Sequence, residues 1–349
     1  MLHRITASRF LLGLALLGLA ITVSLSAGWA ATSLTGAGAT FPYPLYSKWF
    51  DVYQREHKVA ISYQSIGSGG GIQQLKSGTV DFGASDAPLS DQEMRDMPSP
   101  VVHLPMVAGA VVIAYNLPGV QKGLKLSGDA VADVFLGGIT RWNDRRITSL
   151  NPGAKLPNLP IAVAHRSDGS GTSYIFTSYL SAVSKEWASK VGTGKSVNWP
   201  AGIGGKGNDG VAGVVKQTPG AIGYVELAYA TQNRLPYAYV RNRGGKFIEP
   251  TIATTTAAAA GSVKAMQKDV RVSIVNAAGS DAYPIAGFTY ILVYQRQSNA
   301  GKGRALTAFL RWAVRDGQKY AAPLLYAPLP NQVVSVDERN INSISFAGK

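Results

Sequence analysis

The sequence predicts an α/β protein with largely parallel sheets. Strand-like segments alternate with helical ones along the chain, and two apolar runs are typical of strands buried on both faces. No repeat of 20–50 residues and no low-complexity linker interrupts this order. The 349 residues suffice for roughly two domains of about 150 residues each, and the 46% hydrophobic content excludes a disordered chain.

The first segment is predicted to be an export signal. Residues 1–9 contain Arg4 and Arg9 and no acid, residues 10–25 are almost purely apolar, and small residues lead up to Ala30. This order is typical of a secretory signal peptide, and we expect cleavage after Ala30. A retained membrane anchor is the alternative. No later segment reaches the ~20 apolar residues that a membrane span requires.

Apolar patterning then predicts the strands. Three segments alternate apolar and polar or small residues, and two are continuous apolar runs. The segments are 59–63, 80–84 and 161–164, and the runs are 111–115 and 288–293.

Helical spacing fills the intervals between these strands. Leu45, Trp49 and Val52 predict an early helix, and apolar residues across 306–313 predict a late one. Apolar or aromatic residues at every fourth position over 175–187 predict a single helix across that stretch.

The composition excludes several kinds of site. The chain has no cysteine, which excludes disulfides, cysteine-based metal sites and cysteine nucleophiles, and its four histidines lack zinc-enzyme spacing. After residue 30, 32 basic residues face 20 acidic ones, a formal charge of +12 that favours anions. The basic residues are scattered and not interleaved with aromatic ones, so a nucleic-acid partner is not expected.

Four segments share a design in which a strand is followed by small or polar residues and then a helix. A helix start leaves about four backbone N–H groups unpaired and carries partial positive charge, so such segments can cradle phosphate or sulfate. Plain N-capping by Thr40, Ser68 and Ser170 is the alternative. The segments are 36–42, 66–71, 165–172 and 204–210.

Three charged or polar residues near these segments are candidates for the site. Arg166 can hold an oxyanion through two parallel hydrogen bonds, and Asp168 can hold its guanidinium in place unless the two form a simple surface ion pair. Asp86 follows a strand and a small-residue turn, where an Asx-turn or a helix cap is the alternative. His165 is expected to project to the opposite side of its strand from Arg166.

Two enzyme motifs are missing. No glycine-rich segment ends in the Gly-Lys-Ser/Thr of a Walker loop, and the Gly-x-Ser-x-Gly elbow of serine hydrolases is absent around Ser170. An exported phosphatase or phosphotransferase with Ser68 or Ser170 as nucleophile still stays open, as does a basic surface protein that binds nucleic acid or acts as an adhesin.

Taken together, these segments resemble the periplasmic phosphate-binding proteins that serve ABC-type phosphate importers. The resemblance runs from about Ser33 to the C-terminal region. It rests on LTGAGATFP at 34–42, IGSGGG at 66–71, DFGASDAPL at 81–89, RSDGSGT at 166–172 and GGKGNDG at 204–210.

The resemblance implies the periplasmic binding protein type II fold, with two α/β lobes joined by two crossing hinge strands. Lobe I is expected at 31–112 and 287–349, and lobe II at 113–286. The crossings are expected at 111–116 and roughly 285–290.

It also implies the ligand and the residues that bind it. The expected phosphate ligands are Thr40, Phe41, Ser68, Asp86, Arg166, Ser170, Gly171 and Thr172, with Asp168 bracing Arg166. Gly69 stands where a second serine is common, and His165 where a second arginine occurs. The implied protein is a periplasmic monomer without catalysis, cofactor or metal. Its partner is a membrane permease driven by a separate ATPase.

Asp86 is the residue expected to select phosphate over other oxyanions. Near neutral pH phosphate keeps at least one proton and sulfate keeps none. A carboxylate accepts the phosphate O–H but repels an anion that brings no donor. This argument disfavours sulfate, tungstate and molybdate as rival ligands.

Overall fold

The computed structural model describes residues 33–347, which are built around one eight-stranded sheet. The predicted signal peptide at 1–30 lies outside the described residues. The strands are β1 Ser33–Gly38, β2 Ala60–Ser65, β3 Phe82–Ser85, β4 Val101–Tyr115, β5 Lys125–Leu126, β6 Ala162–Arg166, β7 Ile203–Gly205, β8 Ala221–Glu226, β9 Tyr239–Arg241, β10 Phe247–Ile248, β11 Ala286–Tyr294, β12 Arg296–Gln297 and β13 Ser345–Phe346.

Helices connect the strands and cover the sheet. They are α1 Tyr43–His57, α2 Ser68–Lys76, α3 Asp91–Arg95, α4 Gly128–Phe135, α5 Arg145–Thr148, α6 Gly171–Val183, α7 Lys185–Lys190, α8 Gly207–Gln217, α9 Leu227–Gln232, α10 Ile252–Ala260, α11 Val263–Met266, α12 Ala300–Val314 and α13 Asn331–Asn342, with 3-10 turns at Asp316–Tyr320 and Ala322–Leu324. No helix within 33–347 is long and apolar enough to cross a bilayer.

The long strand β4 belongs to both halves of the sheet, whose strand order is β2-β1-β3-β11-β4-β8-β6-β7. Its residues 101–110 pair with β11, and its residues 111–115 pair with β8. All pairings of β4 and β11 within this sheet are antiparallel, whereas β1–β3 and β6–β8 pair in parallel within their own halves. The prediction of two α/β lobes joined by crossing strands is therefore confirmed.

Two sequence predictions differ from the structure. The apolar run at 111–115 is only the last third of β4, since the strand begins at Val101 and continues through Pro105, where its register with β11 shifts. The single helix predicted over 175–187 is two helices, α6 and α7. Ser184 is extended between them, and its Oγ accepts a hydrogen bond from the Trp187 N–H at 3.1 Å, so a local cap restarts the helix.

Parallel pairing decides where the polar loops meet. Within one half, the end of β1 at Gly38 lies beside the ends of β2 and β3. Within the other half, Arg166 at the end of β6 lies beside Gly205 at the end of β7. The carboxyl ends of parallel strands open on one edge of a sheet, and that edge is the usual place for a ligand in open α/β folds.

Candidate anion-binding site

Five of the predicted site residues are buried where the two half-sheets meet. Thr40 follows β1, Ser68 begins α2 and Asp86 follows β3, whereas Arg166 ends β6 and Ser170 precedes α6. None of the five is more than 4% exposed. The structure therefore brings together residues that lie up to 130 positions apart in the chain.

The Arg166 guanidinium is held by a forked contact with Asp168. Arg166 Nε donates to Asp168 Oδ1 at 2.8 Å, and Arg166 Nη2 donates to Oδ2 at 2.5 Å. The Arg166 side chain is 1% exposed, and it is the only buried lysine or arginine among residues 33–347. Burial opposes the ionised form of Asp168, but Arg166 keeps the pKa of this carboxyl below its ordinary value. The alternative of a simple surface ion pair is therefore wrong.

Ser68 and Gly171 contact each other across the site. The Gly171 N–H donates to Ser68 Oγ at 3.0 Å, and the Asp86 N–H donates to the same oxygen at 3.2 Å. A Cβ on Gly171 would lie 2.5 Å from Ser68 Oγ and 2.6 Å from Asp86, so only glycine permits this approach. Nearby, the Gly69 N–H donates to the Gly169 carbonyl at 2.8 Å.

Of the three capping alternatives, only that of Ser170 is confirmed. Its Oγ accepts from the Ser173 N–H at 3.0 Å at the start of α6. Ser68 lies inside α2, after Gly67 at the cap position, and Thr40 lies two residues before the cap position of α1. Their hydroxyls are therefore used within the site rather than for capping.

The glycines of the second segment lie in a helix and not in a loop. Helix α2 begins at Ser68, so Gly69, Gly70 and Gly71 form its first turns. A Cβ on Gly71 would lie 2.4 Å from the Cα of Gly38 in β1. Close packing of helix on strand thus requires glycine at this position, independently of any ligand.

Asp86 is a buried acid that titrates near neutrality. Burial is the main cause that raises its pKa to about 7, against the lowering effects of Thr289, Arg166 and Ser68. Thr289 Oγ1 donates to Asp86 Oδ1 at 2.8 Å. The local turn bonds belong to Ser85 and Ala87, so Asp86 is not the Asx-turn residue considered from the sequence.

Sequence reasoning missed two residues that organise the site, Asn208 and Thr289. Asn208 Nδ2 donates to Thr40 Oγ1 at 2.7 Å and to Thr172 Oγ1 at 3.2 Å, which links the loops of both halves. Thr172 Oγ1 also accepts from Arg166 Nη1 at 3.3 Å. A lone asparagine among the glycines of 204–210, and a lone threonine in the apolar run 288–293, were the available signals.

His165 packs against an aromatic side chain. Its ring stacks on Trp199 with centroids 4.9 Å apart. Across residues 33–347 no three histidine or acidic side chains gather as they would around a metal ion. The site therefore offers one braced guanidinium, several hydroxyl and N–H donors and one titratable acid. This donor set suits a small oxyanion that carries a proton.

Comparison with known sequences places the chain among binding proteins. The family model described as the PBP superfamily domain matches residues 25–316. Phosphate-binding protein PstS of Xylella fastidiosa is 46% identical over 305 residues, covering 87% of this chain and 83% of that protein. Phosphate-binding protein PstS of Haemophilus influenzae is 45% identical over 306 residues, covering 87% of this chain and 91% of that protein.

Solved structures show the same fold. A phosphate-binding protein from Stenotrophomonas maltophilia superposes with a TM-score of 0.66 at 23% identity, covering 88% of this chain and 94% of that one. The periplasmic phosphate-binding protein PfluDING, solved with bound phosphate, gives a TM-score of 0.69 at 20% identity, covering 90% and 99%.

Proposed function

Because this chain belongs to the PstS family of phosphate-binding proteins, within the PBP superfamily, we propose that it binds inorganic phosphate with high affinity in the periplasm. It delivers the ion to the membrane permease of an ABC importer whose ATPase is a separate chain. One observation carries the proposal: a buried, braced guanidinium and a buried acid that titrates near pH 7 are brought to one site from opposite halves of the sheet.

The proposed ligands comprise one charged donor and several neutral donors that fix the orientation of the ion. Arg166 supplies a charged donor, and the hydroxyls of Thr40, Ser68, Ser170 and Thr172 supply neutral ones. The Phe41 N–H completes the donor set, together with the Gly171 N–H, which would exchange its bond to Ser68 Oγ for one to the ion. Micromolar binding needs about 8 kcal/mol and a charged hydrogen bond contributes only ~1.5–3 kcal/mol, so several donors must converge on the ion.

Asp86 provides selection against sulfate. A phosphate ion brings a proton that Asp86 and the ligand can share at any pH near neutrality. A sulfate ion brings none, so an ionised Asp86 would face it as an unpaired, repelling charge. Because burial raises the pKa of Asp86 to about 7, rejection of sulfate should strengthen as the pH rises above that value and this carboxyl ionises.

We place the lobe boundaries at 112/113 and 286/287. β4 changes its partner from β11 to β8 after residue 110, which supports the first boundary. Ion pairs between residues of the two proposed lobes hold them together at the rim: Lys195 Nζ donates to Glu93 Oε1 at 2.6 Å, and Arg271 Nη1 to Asp91 Oδ1 at 2.8 Å.

Ligand-dependent melting against a panel of oxyanions tests the function. We expect phosphate at 1 mM to raise the melting temperature of the mature protein by several degrees, and sulfate, molybdate and tungstate to have no comparable effect at pH 8. Equal stabilisation by sulfate would contradict the proposed selectivity.

A phosphate-ester turnover assay separates the binding protein from the enzyme alternative. We expect no hydrolysis above the uncatalysed rate. Turnover that disappears in either Ser68→Ala or Ser170→Ala would establish a phosphatase with that serine as nucleophile instead.

A further inference from the structure

The peptide unit between Thr40 and Phe41 accepts a hydrogen bond on its carbonyl side from Tyr229, a residue of the proposed lobe II. Tyr229 Oη donates to the Thr40 carbonyl at 2.6 Å, and the Tyr43 N–H donates to the same oxygen at 3.1 Å. Tyr229 lies in α9 and is 2% exposed. The N–H on the other side of this peptide belongs to Phe41 and is one of the proposed phosphate donors.

A second contact holds the next carbonyl of the same loop. Tyr326 Oη lies 2.7 Å from the Phe41 carbonyl oxygen and 3.0 Å from Glu226 Oε2. A tyrosine hydroxyl has one proton, and a carbonyl can only accept. If Tyr326 donates to Phe41, the contact with Glu226 requires a proton on Glu226.

The surroundings of Glu226 favour this arrangement. Glu226 is 0% exposed, and its Oε1 has no hydrogen-bond partner among the described residues, which is costly for a carboxylate. Oε2 also accepts from the Ala228 N–H at 2.9 Å. Burial raises the pKa of Glu226 well above its usual range, which agrees with a neutral acid. If Tyr326 donated to Glu226 instead, the buried Phe41 carbonyl would lose this partner.

Glu226 also sets the orientation of Asn208. The Glu226 N–H donates to Asn208 Oδ1 at 2.9 Å, which turns Asn208 Nδ2 towards Thr40 Oγ1. Residues at the start of α9 therefore position both the backbone of the 40–42 loop and the side chain of Thr40. A hydrogen bond into a carbonyl polarises its peptide and strengthens donation by the N–H opposite, by about 10–30% per bond.

We propose that Tyr229, Tyr326 and Glu226 are positioning residues for phosphate binding, which hold the 40–42 loop so that the Phe41 N–H points at the ion. Glu226 acts as a neutral acid that donates to Tyr326, which donates to the Phe41 carbonyl. The proposal rests on the proposed function and adds three residues that do not touch the ligand. Their contribution is preorganisation of one donor rather than a new contact.

Tyr229→Phe is the first test, since it removes one hydroxyl and keeps the ring. We expect phosphate affinity in calorimetry to fall about 5- to 20-fold. The dissociation rate constant should rise by the same factor, and the association rate constant should stay unchanged. The amide proton of Phe41 should also shift less on phosphate binding than in the wild type. Tyr283→Phe is the matched control, because Tyr283 is equally buried and donates to the Val111 carbonyl at 2.9 Å. We expect it to change stability but leave affinity and the Phe41 shift unaltered.

Glu226→Gln tests the neutral acid. A glutamine amide can donate to Tyr326 as the protonated acid does, so we expect Glu226→Gln to bind phosphate within threefold of the wild-type affinity. Tyr326→Phe removes the donor to the Phe41 carbonyl, and we expect it to lower phosphate affinity about as much as Tyr229→Phe does. Clearly tighter binding by Glu226→Gln would show that the substitution had removed a negative charge, and Glu226 would then not be a neutral acid. Clearly weaker binding would also contradict the assignment of Glu226 as a neutral donor.

The two proposals fail in different ways. A wild-type protein that does not bind phosphate defeats the proposed function. Phosphate binding by the wild type with unchanged affinity, dissociation rate and Phe41 shift in Tyr229→Phe overturns only the positioning role.

Discussion

The two sides of the candidate site supply different kinds of chemistry. The side formed by the loops after β1, β2 and β3 holds the buried acid Asp86 and no buried lysine or arginine among the described residues. The side formed by β6 and α6 holds Arg166, whose charge is offset by Asp168 at hydrogen-bond distance. One side can therefore attract any oxyanion, and the other can choose among them.

Because of this difference, the site would hold an anion by directed donors rather than by net positive charge. When Asp86 is protonated, the charges of Arg166 and Asp168 cancel. When Asp86 is ionised, these three residues carry a net charge of about −1. An anion is bound there only if hydrogen bonds replace its hydration, which requires both sides at once. The formal charge of +12 over residues 31–349 favours anions in general and does not set specificity.

The largest effect is expected from Asp86→Asn, which replaces the acceptor on the selecting side with an amide that can donate. We expect sulfate affinity to rise about tenfold, because the built-in repulsion disappears, and phosphate affinity to fall by less than tenfold, so the preference for phosphate over sulfate should fall about 10- to 100-fold. Competition calorimetry at pH 8 measures both. Asp133→Asn, at a partly exposed ion pair with Arg146, is the control. If sulfate competes no better in the Asp86 variant than in wild type, Asp86 is not the selecting group.

Arg166→Lys tests the attracting side. The charge remains, but lysine cannot hold Asp168 and a ligand in the fixed planes of a guanidinium, so phosphate affinity should drop about 10- to 100-fold. Arg55→Lys, at the exposed Asp51 pair, should leave affinity unchanged in the same titration. Unchanged affinity of Arg166→Lys would count against its role.

Gly171→Ala tests whether the two sides must approach as closely as they do. The added Cβ would collide with Ser68 and Asp86, so we expect a loss of about 10- to 30-fold in phosphate affinity. Gly261→Ala is the matched control, since its Cβ would meet nothing within 4 Å and its φ is −70°. Equal affinities of the two variants would mean that the close approach is not needed for binding.

A pH series sharpens the role of the acid. Because burial raises the pKa of Asp86 to about 7, lowering the pH from 8 to 6 protonates it and turns a repelling group into a donor. Sulfate affinity should rise about tenfold, and Asp86→Asn should abolish this rise. Stability of the ligand-free protein follows the same shift: the contribution of Asp86 is full below pH 3.8 and is lost as pH rises through about 7. A difference in unfolding free energy between wild type and Asp86→Asn that stays constant from pH 4 to 8 would contradict the raised pKa.

Sequence reasoning predicted the α/β class because strand and helix periods are local properties of the chain. It also identified five candidate residues for an anion site, because small and polar residues after predicted strands can be recognised in the sequence alone. They are Thr40, Ser68, Asp86, Arg166 and Ser170. It did not predict the break at Ser184, where a single cap outweighs the apolar spacing. Nor did it show that β4 extends back to Val101, because a strand's length depends on the partners that pair with it.

What the sequence determined by itself was the set of candidate donors, the pairing of Arg166 with Asp168 and the presence of an acid at the end of β3. Only the tertiary structure decided the protonation of that acid and the roles of Asn208, Thr289, Tyr229 and Glu226. A pKa depends on burial and neighbouring charges, and a hydrogen bond between Thr40 and Tyr229 joins residues 189 positions apart. Such quantities exist only once the chain has closed around them.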